Sequence, residues 1–171
     1  SAQAPLRGTP GPDPDPFRGR AVVARGVVFQ IRQKAMKFVD TNILLYAISK
    51  DPAERRKTGI AIELLDAPVG ELALSVQVLQ EFYVQATRVS REGALSHLLA
   101  VEYLEHWQAL EVQDNTLDLF RAAIASSHRF KLSYWDAAII EAARMAGCGL
   151  VLSEDLSDGQ SYGGVVVRNP F

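Results

Sequence analysis

The chain has 171 residues, a net charge of −2, 48% hydrophobic and 22% charged residues, the proportions of a single globular domain with a sizeable core. No run approaches the roughly 18 apolar residues of a membrane helix, and the single cysteine, Cys148, excludes an internal disulfide and a zinc site built on CxxC pairs. Charge is uneven: residues 1–35 carry six basic against two acidic residues, whereas 36–171 carry 12 against 18, so the main body repels nucleic-acid phosphates unless something such as a divalent cation offsets its acids.

Residues 1–20 hold five of the eight prolines and read as an extended leader without the apolar core of a secretory signal. AVVARGVVFQI (21–31) is apolar enough to pair as a strand. Met36 opens MKFVDTN as a natural start, so 1–35 reads either as a leader foreign to the domain or as a docking segment. In the second case Arg18, Arg20 or Arg25 approaches an acidic groove of its own or a neighbouring chain.

From Met36 short β-like runs alternate with helical ones. KFVD (37–40) is a strand, followed by a buried helix in TNILLYAIS. Asp51-Pro52-Ala53-Glu54 is a capping box that starts a helix over 52–66. ELALS (71–75) is the second strand and 76–89 a helix. A further helix spans 91–107 with a stripe of Leu95, Leu98, Leu99, Val101 and Leu104. ALEVQ (109–113) is the third strand. Asn115 and Asp118 cap a helix reaching about Arg129, Ser133 starts another, and Gly147 closes it. GLVLS (149–153) and GVVVRN (164–169) are the fourth and fifth strands. This alternation predicts a mainly parallel sheet of four to five strands covered on both faces, with ligands beyond the strand carboxyl ends.

Acids occupy those ends. Asp40 closes the first strand, and Asp155 follows the fourth, with Ser153, Glu154 and Asp158 in the same loop. Glu81 and Asp136 stand among apolar neighbours, where a lone carboxylate is costly to bury. Each has a plain alternative: Asp40 as a helix cap, Glu81 on a solvated face, Asp136 as the reciprocal partner of Ser133, Asp155 and Asp158 as turn residues. Taken as a set, they suit one or two divalent cations, which relieve both desolvation and mutual repulsion.

FVDTN (38–42), LQEFY (79–83), YWDAAI (134–139) and LSEDL (152–156), in this order and spacing, resemble PIN-domain ribonucleases, and most of all the VapC-type toxins of toxin–antitoxin pairs. The resemblance covers 36–171 and none of 1–35. It implies a three-layer α/β/α fold and metal-binding, catalytic acids at Asp40, Glu81, Asp136 and Asp155, supported by Ser153, Asn42 and Thr41. Asp158 falls beside the usual fourth acid as a candidate to share or replace its role. It further implies a Mg²⁺-dependent endoribonuclease, with Mn²⁺ as substitute, acting on single-stranded or structured RNA. Such a protein is a homodimer of the prokaryotic cytoplasm, silenced by a cognate antitoxin.

Three other readings stay open: a PIN-like nuclease of RNA processing or DNA repair, a catalytically silent interaction module of the same fold, and a phosphatase with Asp40 as nucleophile, although Asn42 breaks the DxD pattern of one such group. His97, His106 and His128 have no ligand-like spacing to the acids, and no nucleophile elbow or phosphate loop occurs. Arg55-Arg56-Lys57, Arg88, Arg91, Arg129 and Lys131 are candidates to grip RNA phosphates. Phe82, Tyr83, Tyr134 and Trp135 flank the acids, and one of them is a candidate to stack on an unpaired base.

Overall fold

A computed structural model describes residues 35–171, and the strand expected at 21–31 and the arginines expected to dock lie outside them. In chain order the elements are β1 (Lys37–Val39), α1 (Thr41–Ala47), a 3₁₀ turn (Pro52–Glu54), α2 (Arg55–Leu65), β2 (Leu72–Ser75) and α3 (Val76–Ala86). There follow α4 (His97–Trp107), β3 (Glu111–Gln113), α5 (Leu117–Phe130), α6 (Tyr134–Met145), β4 (Leu150–Leu152), β5 (Ser161–Tyr162) and β6 (Val165–Arg168).

The sheet order is β3-β2-β1-β4-β6-β5. Every pairing is parallel except β5 with β6. The inner strands are short and nearly all apolar because both faces are covered: Phe38, Val39, Leu72, Leu74, Val151 and Val167 are buried. Helix α1 packs on α2 and α3, while α5 runs along α6, which lies over the sheet. The result is the three-layer α/β/α arrangement expected from the alternation. The expected five strands are present, and β5 adds a sixth of two residues. No helix among the described residues is long and apolar enough to cross a membrane.

Three local readings are corrected by their hydrogen bonds. At the 3₁₀ turn, Asp51 accepts from Ala53 N–H at 2.8 Å as a cap should. Glu54, however, takes the hydroxyl of Ser49 rather than completing the box. Helix α4 begins at His97, not near 91, because Ser96 caps it through Leu99 N–H and Gly93 turns the chain at φ +70°. Its packed face is accordingly Ala100, Tyr103 and Trp107, while Leu98 is 75% exposed. Helix α5 is capped by Thr116 through Leu119 N–H at 3.1 Å. Asn115 instead reaches Gln80, and Asp118 pairs with Arg121.

Candidate active site

The cluster forms where β1 and β4, adjacent at the centre of the sheet, reach their carboxyl ends. Asp40 follows β1, donates its N–H to Leu152 O at 3.0 Å and caps α1 by accepting from Thr41 N–H at 2.7 Å. Ser153, the buried residue after β4, donates its hydroxyl to Asp40 Oδ2 at 2.6 Å. Both bonds favour the ionised carboxylate, yet burial outweighs them and pushes Asp40 up to about 6. The negative charges of Asp155 and Glu81 push in the same direction as burial.

Those two acids are tied to Asp40 through its neighbours in α1. Thr41 Oγ1 donates to Glu81 Oε2 at 2.9 Å, and Asn42 Nδ2 donates to Asp155 Oδ2 at 3.2 Å and Ser153 Oγ at 3.4 Å. Asp155 N–H closes the loop onto Ser153 Oγ at 3.1 Å. A buried oxygen, Asn42 Oδ1, has no hydrogen-bond partner in this network. Such an orphaned acceptor beside mutually repelling carboxylates is unusual in a folded interior.

Asp136 joins less directly. Its backbone N–H donates to Ser133 Oγ at 3.1 Å, so Ser133 caps the helix as expected. Its carboxylate, however, accepts from that hydroxyl at 2.8 Å rather than from the Ser133 backbone N–H of a capping box. Gln77 bridges the gap, donating to Glu81 Oε1 at 2.9 Å and to the Trp135 carbonyl at 3.3 Å. Sequence reasoning did not single out Gln77; its signal is the i, i+4 spacing to Glu81 on α3. Asp158 accepts from Asn169 N–H at 2.9 Å and faces Arg168 at 3.7 Å, so its contacts secure the end of β6. Among the described residues no three His, Cys, Asp or Glu side chains are gathered closely enough, as they stand, to hold a metal ion.

Glu154 sits between Ser153 and Asp155 but looks elsewhere. It accepts from Lys57 and from the Tyr46 hydroxyl, and Lys57 Nζ lies 4.6 Å from the Tyr46 ring centroid and 5.6 Å from that of Phe171. The Lys57 bond holds Glu154 below the usual carboxylate range. Lys57 is therefore occupied in bracing the loop, whereas Arg55 and Arg56 remain exposed. Burial pushes the Cys148 thiol up to about 11, consistent with an inert packed residue.

The family model described as PIN domain matches residues 37–157. No curated protein sequence matches the chain. Among solved structures, a toxin–antitoxin complex from Klebsiella pneumoniae is similar at 19% identity and TM-score 0.59, covering 79% of this chain and 98% of that one. VapC20 of Mycobacterium tuberculosis, described as a sarcin-ricin loop cleaving toxin, is similar at 24% identity and TM-score 0.55, covering 78% and 99%. VapBC2 of Rickettsia felis, bound to a DNA fragment from their promoter, is similar at 18% and TM-score 0.52, covering 78% and 98%. At these identities the likeness is one of fold.

Proposed function

Because the chain belongs to the PIN domain family, we propose that it is a metal-dependent endoribonuclease and the toxin of a toxin–antitoxin pair. The observation that carries this reading is the bonded set Asp40, Glu81 and Asp155, with Asp40 pushed up to about 6 by burial and two like charges. Carboxylate oxygens are the donors that hard cations select, which supports Mg²⁺, with Mn²⁺ as substitute, and the orphaned oxygen of Asn42 leaves one further oxygen donor unsatisfied nearby. In this reading Asp40, Glu81, Asp136 and Asp155 are the holders. When bound, the cation makes a water more acidic and offsets charge on the phosphate.

The chain's own residues prepare that site. Ser153 and Thr41 N–H keep Asp40 oriented, Thr41 Oγ1 and Gln77 fix Glu81, and Asn42 holds Asp155 against the end of β4. The similar structures from Klebsiella pneumoniae and Rickettsia felis, complexes by their names, support a cognate antitoxin as partner in the prokaryotic cytoplasm. Leu117, Phe120 and Ile124 leave an exposed apolar stripe along α5, which supports a homodimer.

The test is cleavage of single-stranded and structured RNA in Mg²⁺, Mn²⁺ or chelator, comparing wild type with Asp40→Asn and Asp136→Asn. Cleavage by the wild type with a cation, and by neither variant, is expected. Full activity in either variant overturns the assignment, and inactivity of the folded wild type favours the silent-module reading.

A further inference from the structure

Of the four aromatic residues that flank the acids in sequence, three are accounted for by packing. Phe82 is buried edge-on to Trp107, with ring centroids 4.6 Å apart. Tyr83 meets His97, sharing a hydrogen bond at 3.1 Å. Tyr134 packs against Phe120 at 5.8 Å. Trp135 meets Tyr134 edge-on at 5.1 Å yet remains 63% exposed at the start of α6, so much of its apolar surface is left in water.

Trp135 lines an open cleft of about 370 Å³ with Gln77, Gln80, Glu81, Val84 and Gln85 of α3. Val84, 58% exposed, adds a second apolar surface. Gln80 receives the Asn115 amide at 3.4 Å on its carbonyl, which leaves its NH₂ to donate. The Gln85 amide has no side-chain partner among the described residues. Glu81 belongs to both places, since it lines the cleft and accepts from Thr41 beside Asp40.

We infer that this cleft holds one unpaired base of the RNA substrate, stacked on Trp135, its edge bonded by the amides of Gln80 and Gln85. The inference rests on the nuclease reading and adds to it where the substrate is gripped. A flat aromatic face beside groups offering both donor and acceptor is the chemistry by which single-stranded RNA is read. Because Glu81 is shared, the gripped base belongs to a nucleotide next to the phosphate that faces the acids. A helix from a partner protein would use only the apolar faces of Trp135 and Val84, whereas a base also uses the glutamine amides that line the cleft with them.

The test is a titration of the chelator-treated protein with a short single-stranded oligoribonucleotide. Tryptophan emission and the anisotropy of a labelled oligonucleotide are read together. Trp107 is only 4% exposed, so a stacked base quenches Trp135, and Trp135→Phe supplies the blank. A series of oligonucleotides, each abasic at one position, contains one member that binds without quenching. Trp135→Ala weakens binding of the intact oligonucleotide about tenfold, the scale of one lost stack, and leaves that abasic member unaffected. Binding without any change in Trp135 emission overturns the inference, as does equal weakening of intact and abasic oligonucleotides. Light scattering that shows Trp135→Ala turning a dimer into monomers also overturns it, because the cleft is then covered by a second copy. Cleavage by the same preparation once Mg²⁺ has been restored in excess of the chelator separates the two readings. Quenching without cleavage removes the nuclease and keeps the base site, cleavage without quenching does the reverse, and absence of both removes both.

Discussion

Ser153 reaches across 113 residues of chain to donate its hydroxyl to Asp40 at 2.6 Å, in the buried space between the ends of two neighbouring strands. A hydrogen bond and a helix cap stabilise the Asp40 carboxylate, and burial beside two further acids destabilises it more. The site therefore holds an unrelieved negative charge whenever Asp40 is ionised.

That imbalance sets a pH dependence. The Asp40 carboxyl lies at about 6 in the fold against an ordinary 3.8, so the folded state binds this proton more tightly than the unfolded chain. Its contribution to stability is complete below 3.8 and is lost as pH rises through 6, a difference of about 3 kcal/mol. Urea denaturation in chelator should find Asp40→Asn more stable than wild type at pH 8, with the gap closing by pH 4. Mg²⁺ should raise the stability of the wild type at pH 8 and leave Asp40→Asn unchanged. A gap independent of pH would show that Asp40 is not strained by its charge.

Glu141 should behave in the opposite way. It is buried in α6 and satisfied by Ser126 and by Arg144 Nε at 3.0 Å, and Arg144 in turn holds the Tyr162 carbonyl at 2.7 Å. Removing the carboxylate strands Arg144 and Ser126, so Glu141→Ala should cost about 2–4 kcal/mol in a urea melt. Glu141→Gln, once folded, should retain RNA cleavage per molecule, unlike the Asp40 variant. Loss of cleavage in folded Glu141→Gln would place this acid in the chemistry.

Lys131 ends α5 at φ +57°, the left-handed region. A lysine there bears a steric cost that glycine avoids, so Lys131→Gly should stabilise the fold by about 0.5–1 kcal/mol. The measurement is the shift in denaturation midpoint at constant slope. Destabilisation would mean that contacts of the lysine side chain outweigh its backbone strain.

The layered fold was legible because apolar runs, caps and closing glycines agree with one another: Ser133 caps the helix it announces, and Gly147 turns the chain at φ +75°. Where two signals competed, local pattern failed. The leucines at 95, 98 and 99 look like one helical face, but Ser96 and Gly93 decide where α4 begins. Strand β5 has two residues, too few for any periodicity. At the site, strand-end position draws the eye to Asp40 and Asp155, but each has a plain alternative as a cap or turn residue, and only the set of acids points to a shared site. The i, i+4 spacing of Gln77 to Glu81 is local, but its bond to the Trp135 carbonyl depends on α3 and α6 meeting, and the Lys57–Glu154 brace joins residues far apart in the chain, so those two contacts have no local signature. Glu141 marks the limit of reasoning from an acid among apolar residues: it shares that pattern with Asp136, its arginine stands one helical turn on in α6, and only tertiary structure supplies Ser126 and the burial.

The position of β4 beside β1 has a temporal consequence during translation. Asp40 and Glu81 leave the ribosome early, but the strand that brings Ser153 and Asp155 is made only after α6, and it pairs with β1 through contacts the earlier chain cannot make. A growing polypeptide thus carries scattered carboxylates and no assembled cluster until residue 155 has emerged. Whatever chemistry the finished pocket performs is withheld from the machinery that builds it.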